Sequence, residues 1–241
     1  MKQANSILKS MLIAVALVVG LIVLFFAVKL LMLKQDVGEY REYWRQQAVK
    51  PAAENALYYV AFGDSVAQGL GASRPDNGYV SLVAKELSEK TGRPVHVINL
   101  SVSGARIQDI PSQLKSMRQL SLPADTVYTL SVGANDMSDY EESEFREQLD
   151  SLLSEMPGTC VVADIAYFGS GRKRNLEPQV KAANDIIKEL VARYELKFAP
   201  LYETTRAHDH LTVHSIDFFH PSDKGHRNWA NAFLAGLDYA E

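Results

Sequence analysis

The sequence predicts an α/β protein with a five-stranded parallel sheet between layers of helices, preceded by one transmembrane helix. Two observations predict this class. Near the N-terminus, residues 11–28 form an unbroken apolar run. From residue 57 onward, short apolar or β-branched runs alternate with longer segments of helical periodicity. Because strands that alternate with helices form parallel sheets covered on both faces, the globular part is expected to be one α/β domain.

Length and composition agree with a domain plus an appendage. The chain has 241 residues, of which 47% are hydrophobic, enough for one sizeable core. We expect a cytoplasmic tail and transmembrane anchor over residues 1–34, a stalk over 35–56 and the globular domain over 57–241. The formal net charge of −4 offers no global attraction for nucleic acid, so no nucleic-acid partner is expected.

The first element is the predicted anchor, which contacts the membrane through residues 11–33. The apolar run extends to Leu33 if Lys29 snorkels, and it is then long enough to cross a hydrocarbon core of roughly 30 Å. A cleaved signal peptide is the alternative, since Lys2 and Lys9 precede the run. The run exceeds the roughly 7–15 residues of a signal-peptide core, and no small-residue cleavage site follows it. These features favour an uncleaved, single-pass membrane anchor.

Basic residues lie on both sides of the anchor and do not by themselves favour export of the C-terminal part. A short N-terminal tail before a single anchor usually stays inside, and on that ground we expect the globular C-terminal domain to be extracytoplasmic. Residues 36–47 are predicted to continue as a helical stalk that ends by Pro51. Its aromatic residues Tyr40, Tyr43 and Trp44 are expected at the membrane interface.

The globular part contains five predicted strands and five predicted helices. In the first helix Val80, Val83 and Leu87 share one face, and Asp223 is expected to cap the last helix. The strands cover Leu57–Phe62, Val95–Leu100, Thr126–Val132, Thr159–Ile165 and Leu196–Ala199. The helices cover Tyr79–Lys90, Ile107–Met117, Glu142–Glu155, Glu177–Tyr194 and Lys224–Leu237.

Four polar segments follow predicted strands or precede the last helix. Ser65 follows the first strand, Gly104 the second and Asn135 the third, while Asp217 and His220 lie near the C-terminus. Since ligands bind beyond the carboxyl ends of parallel strands, these segments are expected to line one cleft. Taken singly, each segment is also typical of an ordinary turn, a helix cap or a surface pair.

Together these residues supply the parts of an acyl-transfer site. A serine hydroxyl becomes a good nucleophile when a histidine takes its proton and a carboxylate orients that histidine. Ser65, His220 and Asp217 are the three groups in question. The backbone N–H groups of Ser65 and Gly104 and the side-chain amide of Asn135 could stabilise the developing oxyanion.

The same set of motifs resembles the SGNH hydrolases, also called GDSL esterases and lipases. The resemblance is carried by Gly63-Asp64-Ser65, Gly104, the motif from Gly133 to Asp136, and Asp217-x-x-His220, in that order, and it covers roughly residues 57–237. It implies a flavodoxin-like three-layer α/β/α fold. It also implies a catalytic set of Ser65, Asp217 and His220, an oxyanion hole of Ser65, Gly104 and Asn135, and no metal or organic cofactor.

One departure from the family pattern is that Val66 and Ala67 follow the serine where the family often has a leucine or isoleucine and a threonine. We expect this difference to leave the three catalytic groups intact and to alter the cleft near Ser65. An α/β-hydrolase elbow, Gly-x-Ser-x-Gly, does not fit, since Ala67 stands at the second glycine position.

Several other residues have an ordinary structural interpretation. The single cysteine, Cys160, is expected to be a buried strand thiol, and the basic run at residues 172–174 a solvated loop. The cluster His208, His210 and His214 could hold a metal, but a polar loop at the cleft entrance fits its spacing better. His96 is expected to pack within a strand and His226 to lie on a helix surface.

The predicted function is a membrane-anchored serine esterase that hydrolyses carboxylic esters through an acyl-enzyme. Short-chain esters, lysophospholipids and carbohydrate O-acetyl esters are all compatible substrates, so the partner is a small-molecule, lipid or polysaccharide ester. A non-catalytic, membrane-tethered binding domain with the same fold is the alternative. The sequence does not indicate an oligomeric state.

Overall fold

A computed structural model describes residues 2–238, with side chains from residue 11 onward. The chain begins with one long helix, α1, over Lys2–Ala48. An 18-residue segment of α1 has a mean hydropathy of 3.2 and none of it is buried, so it is long and apolar enough to cross a membrane. The predicted helical continuation is present, and α1 ends at Ala48, three residues before Pro51.

The domain that follows alternates strands and helices as predicted. The strands are β1 (Leu57–Gly63), β2 (Val95–Asn99), β3 (Val127–Ser131), β4 (Cys160–Ala163) and β5 (Lys197–Ala199). The helices are α2 (Tyr79–Thr91), α3 (Ile110–Met117), α4 (Glu142–Ser154), α5 (Glu177–Arg193), α6 (Leu201–Ala207) and α7 (Asp223–Gly236). The short helix α6 was not predicted, because seven residues after a proline give too little periodicity to recognise.

All five strands are parallel and lie in the order β2-β1-β3-β4-β5. Strand β1 is in the middle of the first three strands, and its residues Tyr59, Val60, Ala61 and Phe62 are fully buried. Burial on both faces explains why the strand is a continuous apolar run instead of an alternating one. The order also brings the carboxyl ends of β1, β2 and β3 side by side.

Each face of the sheet has its own apolar core. Val60 and Phe62 point toward the core beneath α3, α4 and α5, whereas Tyr59 and Ala61 point toward the core beneath α2 and α7. The alternation of successive side chains between the two cores is the period of two expected of a strand. The three-layer α/β/α arrangement is therefore confirmed. Cys160 is fully buried in the first core, as predicted, and burial raises the pKa of its thiol well above the ordinary range.

Two predictions about the ends of the domain are wrong. The aromatic residues Tyr40 and Trp44 do not lie free at a membrane interface, because both are buried against the domain and Trp44 belongs to the core beneath α2 and α7. Helix α7 is capped by the Ser222 hydroxyl, which accepts from the Gly225 N–H at 3.4 Å. Asp223 instead accepts from the Ser73 N–H and hydroxyl, both at 2.7 Å. The division into anchor, stalk and domain stays a prediction.

Candidate active site

The end of strand β1 is shaped so that the chain can turn sharply toward Ser65. Gly63 has φ +148, and a Cβ built on it would lie 2.4 Å from the Ser131 carbonyl oxygen of β3. Only glycine allows this approach of the two strands. The Gln113 side chain of α3 binds both backbone groups of Gly63, accepting from its N–H at 3.0 Å and donating to its carbonyl at 2.8 Å. The backbone that leads into Ser65 is therefore fixed by hydrogen bonds and by close packing of the two strands.

Ser65 meets His220 and Asp217 at the carboxyl edge of the sheet. The Ser65 Oγ and His220 Nε2 atoms are 3.0 Å apart, and the His220 Nδ1 and Asp217 Oδ2 atoms are 2.7 Å apart. All three side chains are shielded, with Ser65 only 4% exposed and the His220 and Asp217 side chains 13% and 10% exposed. The three residues thus form a continuous hydrogen-bonded line.

Asp217 is held in its orientation by the loop that carries it. Its Oδ1 atom accepts from the backbone N–H groups of Phe219 and His220 at 3.1 and 3.0 Å, which leaves Oδ2 for the histidine ring. Burial alone would raise the pKa of Asp217, but the hydrogen bond and charge of His220 and these two N–H groups outweigh it. The pKa of Asp217 is therefore lowered, and the carboxylate stays ionised.

The same loop stores backbone strain next to the histidine. Phe218 has φ +54, a left-handed conformation that a bulky side chain rarely adopts. Three backbone bonds keep it there: the Phe218 N–H donates to Ser215, the Phe218 carbonyl accepts from Arg172 at 2.6 Å, and the Ser215 N–H donates to the His220 carbonyl at 2.7 Å. Strain of this kind persists only where the surroundings fix it, and it is common in functional loops.

The structure brings the other predicted site residues to the same edge. The Asn135 amide donates to the Ala105 carbonyl at 3.0 Å and to Asp64 Oδ2 at 3.3 Å, so it bridges the neighbours of Gly104 and of Ser65. Gly104 is exposed with φ +83, a conformation that favours glycine. Within residues 11–238, no protein acceptor takes a hydrogen bond from the backbone N–H of Ser65 or Gly104.

Two carboxyl groups, the buried Asp64 and the half-buried Asp136, flank this edge. Burial raises the pKa of Asp64 to about 6, although the Val66 N–H and the positive charges of His220 and Lys173 oppose the shift. Burial likewise raises the pKa of Asp136 to about 6. At both carboxyl groups the loss of hydration outweighs the hydrogen bonds and the nearby positive charges, which explains the direction of both shifts.

An apolar cavity of about 50 Å³ is lined by the chain neighbours of Ser65 and His220, among them Val66, Phe219 and Pro221. Because a single water-sized sphere needs roughly 10–15 Å³, this volume holds a group of a few heavy atoms. Aromatic and aliphatic side chains form most of its wall, including Val66, Phe168, Phe219 and Trp229. These residues were not predicted, because they come from separate loops and share no spacing in the sequence.

Lys173 also lies at this cavity, so the solvated-loop prediction is wrong for it. Its Nζ atom lies 4.4 Å from the centre of the Phe219 ring, a cation–π contact. The side chain is partly buried, and burial together with the positive charge of Arg172 lowers its pKa. Arg172 and Arg174 are exposed, as predicted.

The three clustered histidines are occupied by separate local contacts. His208 Nδ1 lies 2.8 Å from the Thr204 carbonyl, His210 accepts from the Thr212 N–H at 3.2 Å, and His214 lies 3.1 Å from the Ser170 hydroxyl. Within the described part of the chain, no group of three histidine, cysteine or acidic side chains is placed to hold a metal ion.

His226 is not on a helix surface, which corrects that prediction. It is fully buried, its Nδ1 accepts from the Tyr79 N–H at 3.2 Å, and its Nε2 lies 3.1 Å from the Leu70 carbonyl. Burial lowers the pKa of His226 to about 4, so the ring is neutral and donates through Nε2. The signal for burial was available, because Trp229 and Phe233 follow His226 at helical spacing. His96 packs edge-on against Tyr58, as predicted.

Comparison with known proteins identifies the family. The model of the GDSL-like Lipase/Acylhydrolase family matches residues 61–227, which include every predicted site residue. No curated protein matches the sequence significantly.

Several solved structures have the same fold at low sequence identity. An alpha/beta hydrolase from the metagenome of Lake Arreo, Spain, is 19% identical with a TM-score of 0.63, over 79% of this chain and 98% of that one. An acetylxylan esterase from Geobacillus stearothermophilus is 18% identical with a TM-score of 0.61, over 78% and 99%. A lipolytic G-D-S-L protein from Veillonella parvula is 17% identical with a TM-score of 0.63, over 75% and 97%. The chain belongs to the GDSL-like lipase/acylhydrolase family of hydrolases.

Proposed function

We propose that the protein is an SGNH-type serine esterase that hydrolyses carboxylic esters through an acyl-enzyme. The observation that carries the proposal is the line from Ser65 Oγ to His220 Nε2 and from His220 Nδ1 to Asp217, at 3.0 and 2.7 Å. Both distances fall in the range that proton transfer between a nucleophile and its base requires. Asp217 fixes the tautomer of His220 and stabilises the imidazolium that forms.

In the first step Ser65 Oγ attacks the ester carbonyl carbon while His220 Nε2 takes the hydroxyl proton. The carbonyl oxygen becomes an oxyanion, which the N–H groups of Ser65 and Gly104 and the Asn135 amide stabilise. The bond to the leaving alcohol then breaks as His220 returns the proton to the alcohol oxygen, which leaves Ser65 acylated. In the second step His220 takes a proton from water, the resulting hydroxide attacks the acyl carbon, and the carboxylic acid leaves as the proton returns to Ser65.

The Asn135 amide needs only a small adjustment for this role. In the ligand-free site its two N–H groups point to Ala105 and to Asp64, and the contact with Asp64 is long, at 3.3 Å. An oxyanion between Ser65 and Gly104 is a better acceptor, because it carries the charge that develops in the transition state. The Asn135 amide therefore exchanges its longer hydrogen bond, to Asp64, for one to the oxyanion.

The apolar cavity supports esters with a short acyl group. Its volume of about 50 Å³ fits an acyl chain of a few carbons, and most of its wall is apolar. Among the expected substrates, acetyl and other short-chain esters therefore fit the cavity as it stands. The alcohol part, whether a small molecule, a lipid headgroup or a sugar, lies on the open side of Ser65.

Helix α1 serves as an uncleaved membrane anchor in this proposal, with the esterase domain on the extracytoplasmic side. Its hydropathy and lack of burial support a membrane-spanning role. Retention of the helix is supported by Tyr40 and Trp44, which pack into the domain. N-terminal sequencing of the membrane-associated protein tests retention, and protease accessibility in intact cells tests orientation.

The esterase proposal is tested with the full chain in detergent and p-nitrophenyl acetate, butyrate and octanoate. We expect hydrolysis that prefers the short esters and is abolished in Ser65→Ala, while Ser151→Ala, an exposed serine on α4, retains wild-type rates. Equal rates for Ser65→Ala and wild type would contradict the proposal and would favour a non-catalytic binding domain.

A further inference from the structure

Helix α1 does not stop at the edge of the domain but contributes side chains to its interior. Tyr40 and Trp44 are 5% and 4% exposed, and they lie one turn apart on the face of α1 that meets the domain. Trp44 packs with Val66, Ala67 and Tyr79 in the core beneath α2 and α7. The Tyr40 ring lies 3.6 Å from the position that a Cβ on Gly69 would take.

The polar atoms of both aromatic residues bind the segment that directly follows Ser65. The Trp44 Nε1–H donates to the Gln68 carbonyl at 2.8 Å, and the Tyr40 hydroxyl donates to the Ala72 carbonyl at 2.7 Å. Residues 64–72 form neither strand nor helix. Within that segment, the Leu70 N–H donates to the Ser65 carbonyl at 2.9 Å, so a displacement of the segment is passed to the serine.

Gln68 extends this contact to the loop that holds Gly104. Its side-chain Nε2 donates to the Ser101 carbonyl at 2.9 Å, and Asn99 Nδ2 donates to the Ala67 carbonyl at 2.7 Å. The Gln68 Oε1 atom is buried and has no partner among the described residues. Because that oxygen makes no hydrogen bond, the position of Gln68 depends on its other hydrogen bonds. One of these is the buried bond from the Trp44 indole to the Gln68 carbonyl.

Helix α1 also approaches the loop on the histidine side. Leu33 and Asp36 line a groove whose opposite wall includes Gly71 and Ser215. A Cβ on Gly71 would lie 2.8 Å from the His220 Cβ, so the groove wall is in contact with the histidine. Helix α1 therefore borders both ends of the candidate catalytic line. Its aromatic residues lie next to the segment after Ser65, and the end of its apolar run lies next to the loop of His220.

We propose that Trp44 and Tyr40 are positioning residues of the active site, so that the membrane helix is part of the scaffold that aligns Ser65 for attack. This inference rests on the proposed function, because it assigns importance to the position of the Ser65 hydroxyl. The two residues act through the Gln68 and Ala72 carbonyls and touch no substrate. A shift of the nucleophile by a fraction of an ångström lowers the rate of acylation more than it lowers substrate binding.

The test uses the full chain in detergent with p-nitrophenyl acetate and three variants. Tyr40→Phe keeps the ring and loses only the hydroxyl donor. Trp44→Phe keeps an aromatic ring but loses the indole N–H and part of the ring volume. Tyr43→Phe is the matched control, because the Tyr43 hydroxyl donates to Asp76 at 2.9 Å on the same helix but away from the Ser65 segment. Single-turnover acylation rates, kcat and KM are measured for each, with the fraction of folded sites counted by stoichiometric phosphonate labelling.

We expect kcat and the acylation rate per labelled site to fall about tenfold in Trp44→Phe and in Tyr40→Phe, with KM within twofold of wild type. Tyr43→Phe keeps the wild-type values. Loss of labelled sites with an unchanged rate per site, or rates equal to those of Tyr43→Phe, would overturn the inference and leave the esterase proposal intact. Activity in Ser65→Ala equal to wild type would instead overturn the esterase proposal, and the inference with it.

Discussion

The Nε2 atom of His220 lies 3.0 Å from the Oγ atom of Ser65, although 155 residues separate them in the sequence. The contact is made by the fold and not by local structure. Ser65 is held at the end of β1, and His220 is held by a strained loop that is tied to Arg172 by a backbone bond.

The first prediction concerns the partner of the histidine. In Asp217→Asn an amide replaces the carboxylate that accepts from His220 Nδ1. The amide favours the tautomer of His220 that cannot take the proton of Ser65 through Nε2. We expect kcat/KM for p-nitrophenyl acetate to fall by about 10²- to 10⁴-fold, mostly through kcat. Asp185→Asn, an exposed position on α5, serves as control and should match wild type. A loss of less than about tenfold would show that Asp217 does not orient the base.

The second prediction concerns the oxyanion. Asn135→Ala removes the only side-chain donor of the proposed hole and should lower kcat by about 10²- to 10³-fold, with KM little changed. Asn231→Ala, at an exposed position on α7, controls for the substitution itself. A parallel rise in KM with unchanged kcat would indicate that Asn135 binds the ground state instead.

The third prediction concerns stability and pH, through His226. Its pKa is about 4 in the folded chain and about 6.5 ordinarily. His226 is therefore protonated below about pH 6.5 in the unfolded chain, but only below about pH 4 in the folded chain. The contribution of His226 to stability is complete above pH 6.5 and falls by about 3 kcal/mol toward pH 4.

Buried Asp64 and Asp164 have raised pKa values and act with the opposite sign, so the measurement compares variants. Denaturant unfolding of wild type and His226→Gln in detergent is followed from pH 7 to pH 4. The difference in unfolding free energy should narrow by about 3 kcal/mol as pH falls, because the carboxyl contributions cancel. A difference that stays constant would mean that His226 titrates alike in both states.

The fourth prediction concerns the acyl cavity. Ala166 lines it, and Ala166→Leu fills part of its volume. Each methylene buried by the substrate contributes up to about 0.8 kcal/mol, so wild type should favour butyrate over acetate and the variant should lose that preference. The kcat/KM ratio of the two p-nitrophenyl esters is the readout. Ala192→Leu, exposed on α5, is the control, and an unchanged ratio in Ala166→Leu would place the acyl group elsewhere.

The sheet and the convergence of the site segments were predictable because their signals are local. Residues Tyr59 to Phe62 are buried on both faces, so composition alone marks β1 as a central strand. The parallel arrangement then requires that the segments after β1, β2 and β3 share one edge. The bounds of β4 were too wide, since Cys160–Ala163 is shorter than the apolar run that contains it.

The remaining features depend on tertiary contacts. Tyr40 and Trp44 follow an apolar run, and sequence position alone cannot distinguish an interface aromatic from one buried by a neighbouring domain. Lys173 was expected in solvent because it lies between two arginines, yet the Phe219 ring holds it. The cavity wall is assembled from loops far apart in the chain, so no periodicity predicts it.

The central claim is that Ser65 becomes acylated during turnover. The most direct measurement is acid quenching of the full chain during hydrolysis of p-nitrophenyl acetate, followed by peptide mass spectrometry. We expect an acetyl group on the peptide that contains Ser65, formed with the release of one p-nitrophenol per site and absent in Ser65→Ala. An acetyl group on another residue, or turnover in Ser65→Ala at the wild-type rate, would contradict the account.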